Sequence, residues 1–280
     1  MEFIESISGL RARLSDERCR ALVPTMGALH AGHLSLIDAA RTAAGGRATV
    51  IMSVFVNPLQ FGPGEDFTRY PRDIAADRAK ASDVDILFAP GTEELYPQSG
   101  APPIRVIPEL EPPRWEAAIR PGHFAGVLTV VAKLFNIVQP QIAVFGQKDI
   151  QQATYLRAMV QALDFPIRII VAPIIREPDG LAMSSRNVYL STDERARALA
   201  LSRALAAAND QWKAGERTTA ALEAAGKAVL EATPGVEIDY FAVAEPKKLE
   251  PVGEATAGSV VMVAARVGRT RLLDNLILGQ

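Results

Sequence analysis

Two imidazoles three positions apart, His30 and His33, stand in the run Val23-Pro24-Thr25-Met26-Gly27-Ala28-Leu29-His30-Ala31-Gly32-His33. The run follows an apolar, strand-like segment and leads into Leu34-Ser35-Leu36-Ile37, so it reads as a strand-to-helix connection. In an open parallel sheet, ligands bind at the carboxyl ends of strands, and a helix start offers unpaired N–H groups and the positive end of a dipole. Gly27 and Gly32 permit close backbone approach. A phosphate suits such a place, and two imidazoles aimed at it donate hydrogen bonds as negative charge develops. Two other readings stay open: satisfied surface histidines at a helix start, and a metal pair, for which no third ligand has the usual spacing. Neither GxxxxGK[ST] nor GxGxxG occurs, which removes the sequence warrant for a P-loop enzyme or a dinucleotide dehydrogenase.

Other polar residues sit at similar junctions. In Phe55-Val56-Asn57-Pro58-Leu59-Gln60-Phe61, Pro58 ends regular pairing, and Asn57 and Gln60 are expected to project from the following loop. Their amides carry both donors and acceptors, as a neutral, hydroxyl-bearing substrate requires. Val144-Phe145-Gly146-Gln147-Lys148-Asp149 leaves a strand and enters a helix, which sets Lys148 at the same crevice edge as the histidines, where an ammonium neutralises phosphoryl oxygens. Asp149 is placed to cap that helix, and Gln152, one turn later, to face an acid substrate. After the Pro178-Asp179-Gly180 turn, Met183-Ser184-Ser185-Arg186 brings hydroxyls and a guanidinium suited to close over a triphosphate. The bland alternatives are an Asn-Pro turn with a solvated Gln and a solvated or helix-capping Ser-Ser-Arg loop. Asp73 and Asp77 lie on consecutive turns of a predicted helix and are within reach of a hydrated Mg²⁺. Exposed helix faces commonly carry such acids, so no protein metal ligand is assigned.

These residues need a frame, and 280 residues with 49% hydrophobic and 22% charged side chains can build one. Net charge is −2, which argues against broad nucleic-acid or anionic-membrane binding. The only cysteine, Cys19, rules out an intramolecular disulfide framework and reads as a small apolar residue. No uninterrupted apolar run approaches the ~20 residues that span a bilayer. Residues Met1 to Leu14 carry Glu2, Glu5, Arg11 and Arg13, with no signal-peptide pattern, so a cytoplasmic protein is the expectation. Strands are predicted at Arg20 to Pro24, Ala48 to Val56, Val84 to Ala89, Gln141 to Phe145 and Ile167 to Val171. Helices are predicted at His33 to Ala43, Asp73 to Ala81, Phe124 to Val138 and Ile150 to Leu163. In the third helix, Val127, Val130, Val131, Leu134 and Val138 share one buried face.

The segment Pro90 to Pro121, rich in Pro and Gly, reads as an irregular excursion with a short strand at Ile104 to Ile107. Arg195 to Ala232 holds 14 alanines in 38 residues, which predicts two structural helices parting near Gly215. Strands are expected at Val236 to Val243, Ser259 to Val267 and Leu272 to Leu278. The fold expected is a Rossmann-like parallel sheet flanked by helices over residues 1–174, then a smaller mixed α+β, lid-like domain over 175–280 that carries the Met-Ser-Ser-Arg loop near its start.

His-x-Gly-His after a first strand resembles the nucleotidyltransferase superfamily, which includes class I aminoacyl-tRNA synthetases. Pro24 to His30, Phe55 to Phe61, Asp179-Gly180-Leu181-Ala182-Met183-Ser184-Ser185-Arg186-Asn187 and Thr270-Arg271-Leu272-Leu273-Asp274-Asn275 together resemble the pantoate–β-alanine ligase family over almost the whole chain. The resemblance implies condensation of (R)-pantoate with β-alanine through pantoyl adenylate, with ATP converted to AMP and diphosphate. It implies ATP contacts at Met26, Gly27, Ala28, Leu29, His30, Ala31, Gly32, His33, Gly146, Gln147, Lys148, Asp149, Ile175, Met183, Ser184, Ser185 and Arg186. It also implies a pantoate site with Gln60 and Gln152, an acid pocket lined by His123, Mg²⁺ held chiefly through the ATP phosphates, and a homodimer. Asn57 joins the substrate residues, and His30, His33, Lys148, Ser184, Ser185 and Arg186 carry alignment and charge neutralisation. The chain has Gln147 where the family commonly has Glu. An adenylyltransferase with a phosphorylated acceptor would call for another cation among Asn57, Gln60 and Gln152. A synthetase for tRNA would need an anticodon-binding region, and a non-catalytic nucleotide sensor would bind ATP without exchanging diphosphate.

Overall fold

The structure, a computed structural model, describes residues 1–97, 102–109 and 112–280. The chain divides into two compact units, one of Met1–Gly146 with Tyr155–Ala172, the other of Gln147–Thr154 with Pro173–Gln280. The first holds six parallel strands in the order β1 (Glu2–Ile4), β4 (Ile86–Phe88), β3 (Thr49–Val54), β2 (Arg20–Thr25), β5 (Ile142–Gly146) and β6 (Arg168–Ala172). Side chains alternate between the two faces, as a pleated strand requires. Leu22, Ile51, Ile86, Phe88, Ala143 and Phe145 enter one apolar cluster, with Leu10 and Leu14 of α1 (Ile7–Leu14) and the inner face of α6 (His123–Val138). Ala21, Val23, Val50, Met52, Leu87 and Val144 enter the other, under Leu36, Ile37 and Ala40 of α2 (Ala31–Ala43). The half-buried Cys19 packs against this second cluster. Near-continuous apolar strands are what a sheet covered on both faces demands.

The predicted strands and long helices form with shifts of a few residues at their ends. Val127, Val130, Val131, Leu134 and Val138 are all buried, in a helix buried on most of its circumference. Helix α3 (Ile74–Lys80) follows β3, and two short helices, α4 (Thr92–Leu95) and α5 (Glu116–Ile119), interrupt the irregular excursion. Part of that predicted excursion, residues 98–101 and 110–111, lies outside the described residues. The strand expected at Ile104 to Ile107 does not form: the segment runs against α6, where the Val106 N–H donates to Thr129 Oγ1 instead of to a sheet neighbour. Missed by pattern alone are β1, too short to show a period, and α1, whose start is marked by Ser6 accepting from the Gly9 N–H.

In the second unit, α8 (Thr192–Lys213) opens with a capping box between Ser191 and Glu194, and α9 (Thr219–Glu231) follows the Gly215 turn. Both pack on an antiparallel sheet, β7 (Val236–Ala244), β8 (Val260–Val267) and β9 (Thr270–Ile277), in that order. Helix α7 (Ile150–Ala162) begins in this unit, directly after a single 3₁₀ turn, Gln147–Asp149.

The strand order reverses between β2 and β5, because the chain winds outward from β2 to β4 and then returns to place β5 on the other side of β2. That switch point is where a parallel sheet leaves a crevice at its carboxyl edge. Helix α6 reaches the loop after β3 through a glycine: a Cβ on Gly126 would lie 2.2 Å from the Leu59 carbonyl oxygen. Gly126→Ala should therefore destabilise the protein by about 1–3 kcal/mol, the usual cost of overpacking. It should also displace the 58–60 turn. Urea unfolding checks the stability loss, and a variant with the wild-type midpoint would contradict the close contact.

Candidate active site

At the carboxyl end of β2 the chain turns through two successive positive-φ residues, Gly27 (80°) and Ala28 (50°). A side chain at Gly27 would collide with Asp77 and Val54, 2.6 and 2.9 Å from its Cβ position, so the glycine is demanded by the protein's own packing. The Asp77 carboxylate, buried on α3, accepts from the backbone N–H groups of Ala28 (3.0 Å) and Leu29 (2.7 Å). Lys80, one turn further along α3, donates to the Leu29 carbonyl at 2.8 Å. Thr25 Oγ1 accepts from the Gly27 N–H and donates to the Ser53 carbonyl. The backbone amides of residues 27–29 are thereby each hydrogen-bonded within the protein, which fixes the path of the loop.

The turn delivers His30 to the start of α2. No side chain caps that helix, and the His30 carbonyl accepts from the His33 and Leu34 N–H groups at 2.8 and 3.1 Å. The two imidazoles stack, with ring centroids 4.0 Å apart and planes 28° from parallel.

Asn57 and Gln60 do not project into solvent as expected. They are 1% and 8% exposed, on a 3₁₀ turn at Pro58–Gln60. Both Asn57 donor protons are used, on Gln60 Oε1 and the Gly126 carbonyl, each 3.1 Å away. Its oxygen accepts from Leu59 N–H and the Tyr96 hydroxyl, the latter at 3.0 Å. Burial pushes the Tyr96 phenol well above its usual range, which keeps that donor proton in place. Gln60 Nε2 lies 3.0 Å from Met26 Sδ, so the glutamine reaches the base of the His30 loop.

His123 is likewise engaged by protein. Its Nδ1 is 2.8 Å from the Gln60 carbonyl, an acceptor only, so Nδ1 carries the proton and donates. Nε2 then accepts from Arg120 Nη1 at 3.1 Å. Arg120 forms a two-point pair with Glu65, at 2.6 and 2.8 Å. Burial would raise the Glu65 pKa, but the guanidinium more than offsets it and holds the carboxyl below its usual range. Burial first, and the Arg120 charge second, push the His123 pKa down to about 4.

The second unit carries the remaining predicted residues. Lys148 sits in the 147–149 turn, its Nζ 3.9 Å from the half-exposed Asp149 carboxylate, and Gln152 is half-buried in the first turn of α7. The Ile175 carbonyl accepts from the Met183 N–H at 3.0 Å, and an antiparallel bridge joins Arg176 to Ala182. This short ladder brings Ile175 beside the Met-Ser-Ser-Arg loop. Ser184 then caps a 3₁₀ helix, Ser185–Tyr189, by accepting from the Arg186 N–H at 3.2 Å. Asp73 accepts from the Ala76 N–H as cap of α3 and Asp77 holds the loop, so both acids have structural tasks. Among the described residues, no group of three or more His, Cys, Asp or Glu is placed to hold a metal ion.

Parallel-sheet topology with a switch point beside the His-x-Gly-His helix start is the arrangement of a ligand-binding α/β enzyme. The pantoate–β-alanine ligase family model matches residues 2–277, and the chain belongs to that family. It is 49% identical over 278 residues to pantothenate synthetase of Thermus thermophilus and 50% identical over 285 residues to that of Moorella thermoacetica, covering 99% of each chain in both cases. The crystal structure of the Thermus thermophilus enzyme superposes with a TM-score of 0.93 at 48% identity, over 99% of both chains. Pantoate–β-alanine ligase of Francisella tularensis, in complex with β,γ-ATP and β-alanine, gives a TM-score of 0.80 at 30% identity, over 99% of this chain and 97% of that one. The reaction is the ATP-dependent condensation of pantoate with β-alanine to pantothenate, AMP and diphosphate through pantoyl adenylate.

The neutral His123 gives a pH signature. Its folded pKa, about 4, lies below the unfolded value of 6.5, so between these two the unfolded chain binds a proton that the folded chain does not. The contribution is fully present above pH 6.5 and is lost as pH falls towards 4. Urea midpoints should decline over that window more steeply in wild type than in His123→Gln. Equal slopes would refute the neutral, buried imidazole.

Proposed function

We propose that the reaction is carried by the uncapped start of α2 and its stacked imidazoles, working on the same nucleotide as Lys148, Ser184, Ser185 and Arg186. The supporting observation is the path into the helix start, which Asp77 and Lys80 fix by bonding the backbone of Ala28 and Leu29 and which brings the two imidazoles together in a stack. Met26 to His33, Gly146 to Asp149, Ile175 and Met183 bind ATP, and Gln60 and Gln152 bind pantoate. Asn57 and His123 act through Gln60 and are positioning residues, since their polar atoms are taken up by Gln60, Gly126, Tyr96 and Arg120.

In the first half-reaction a pantoate carboxylate oxygen bonds to the α-phosphorus of ATP and the bond to the bridging oxygen of diphosphate breaks. The nucleophile already carries its charge, so no general base is needed. Alignment and neutralisation of the phosphoryl oxygens are, and His30, His33, Lys148 and Arg186 supply them. In the second half the neutral β-alanine amine attacks the activated carbonyl, AMP leaves, and the amide forms with loss of a proton. Mg²⁺ would be held chiefly by the phosphates of ATP and would neutralise part of their charge.

The chain works in the cytoplasm, a reading that the biosynthetic family supports. It acts as a homodimer, which the family resemblance supports. Sedimentation equilibrium should return the mass of two chains, and the mass of one would overturn that reading.

Pantoate-dependent exchange of labelled diphosphate into ATP, followed by β-alanine addition, tests the site. Lys148→Ala and His33→Ala should each lower exchange by about 10²-fold to 10³-fold, as for a lost oxyanion donor. Gln60→Ala should impair pantoate use more than ATP use. Full activity in a folded Lys148→Ala variant would remove that residue from the mechanism.

A further inference from the structure

Two adjacent residues of β9, Asp274 and Asn275, are 4% and 2% exposed although both are polar. Buried polar groups persist where they are hydrogen-bonded, and these two are. The Asn275 amide gives one hydrogen bond to the Gln147 carbonyl and one to the Lys148 carbonyl, each 3.0 Å, and accepts from Gln147 Nε2 at 3.0 Å. The Asp274 carboxylate takes both arms of the Arg176 guanidinium, at 2.6 and 3.0 Å, and accepts from the Asn275 N–H at 2.8 Å. Arg176 Nη1 also donates to the Gly180 carbonyl, across the turn that precedes Met183.

We propose that Asp274 and Asn275 are a positioning pair: one strand edge sets the register of both the Lys148 turn and the Met183–Arg186 loop for adenylyl transfer. The bonds run to backbone carbonyls on the first loop and to the root of the Ile175–Met183 ladder on the second, so they fix main chain and not the reacting side chains. Gln147 belongs to the same arrangement. Its amide N–H meets the Asn275 side-chain oxygen, a bond that a carboxylate at 147 cannot make because it has no proton to give. In this chain Gln147 therefore serves the turn's position through Asn275.

This rests on the reading that Lys148 and Arg186 act on the triphosphate, and the two ideas separate experimentally. Diphosphate leaves in the first half-reaction, so a displaced loop should slow pantoate-dependent ATP–diphosphate exchange far more than the attack of β-alanine on preformed pantoyl adenylate. Asn275→Asp puts an acceptor where the amide nitrogen serves two carbonyl oxygens, and Arg176→Lys keeps the cation but loses the two-point pair. Both are measured in the two assays beside Lys148→Ala. The expected result is a loss of about 10-fold to 100-fold in the turnover of exchange, as for small misplacements of catalytic groups, with KM for ATP and the second half-reaction within about 3-fold of wild type. If Asn275→Asp does not fold, Arg176→Lys carries the same comparison. Equal losses in both half-reactions, or unchanged exchange, would overturn the positioning role. Unchanged exchange in Lys148→Ala would instead overturn the reading beneath it.

Discussion

One buried carboxylate governs the first unit. Asp77 accepts two successive backbone N–H groups, and the turn that presents them places Gly27 and Ala28 in the left-handed region. A non-glycine residue there costs backbone energy that something else must offset, and two charge-assisted hydrogen bonds in a buried site do so. Without that carboxylate the strand-to-helix connection has no reason to keep this path, and the His30 carbonyl would not meet the first turn of α2. The path of the chain into α2 thus depends on an acid of α3.

The same logic recurs around Gln60. Its side chain is oriented by Asn57, its carbonyl by His123 and Arg120, and its turn by the close approach of Gly126. Arg120 is itself anchored by Glu65. A side-chain amide surrounded in this way is held to one orientation, and the entropy of fixing it is met on folding. The neutral state of His123 follows first from burial and then from the Arg120 guanidinium that a proton on Nε2 would face.

The architecture was readable because a sheet covered on both faces writes itself as short apolar runs between amphipathic ones, and β2 through β6 and the long helices obey that rule. β1 has three residues and no period to detect, and Ile104 to Ile107 alternates like a strand yet bonds a helix side chain. Around the candidate site, residue types and spacing at strand ends singled out His30, His33 and Lys148, while the Met-Ser-Ser-Arg loop drew its weight from the family resemblance. They could not show that Asn57 faces inward, because its partners Gly126 and Tyr96 lie 69 and 39 positions away. Asp77 was visible as an acid on a helix, but its purpose lies 48 and 49 positions upstream. Long-range polar pairing leaves no local pattern, so the residues that hold a site are harder to read than those that use it.

The contacts of β9 bear on how the molecule comes into being. Translation delivers the 147–149 turn and Arg176 well before the strand whose side chains bond them. A nascent chain can hold the strands of its parallel sheet while those bonds still lack their β9 partners. The last contacts of the 147–149 turn therefore wait for Asn275, made 128 positions after Gln147 and 127 after Lys148.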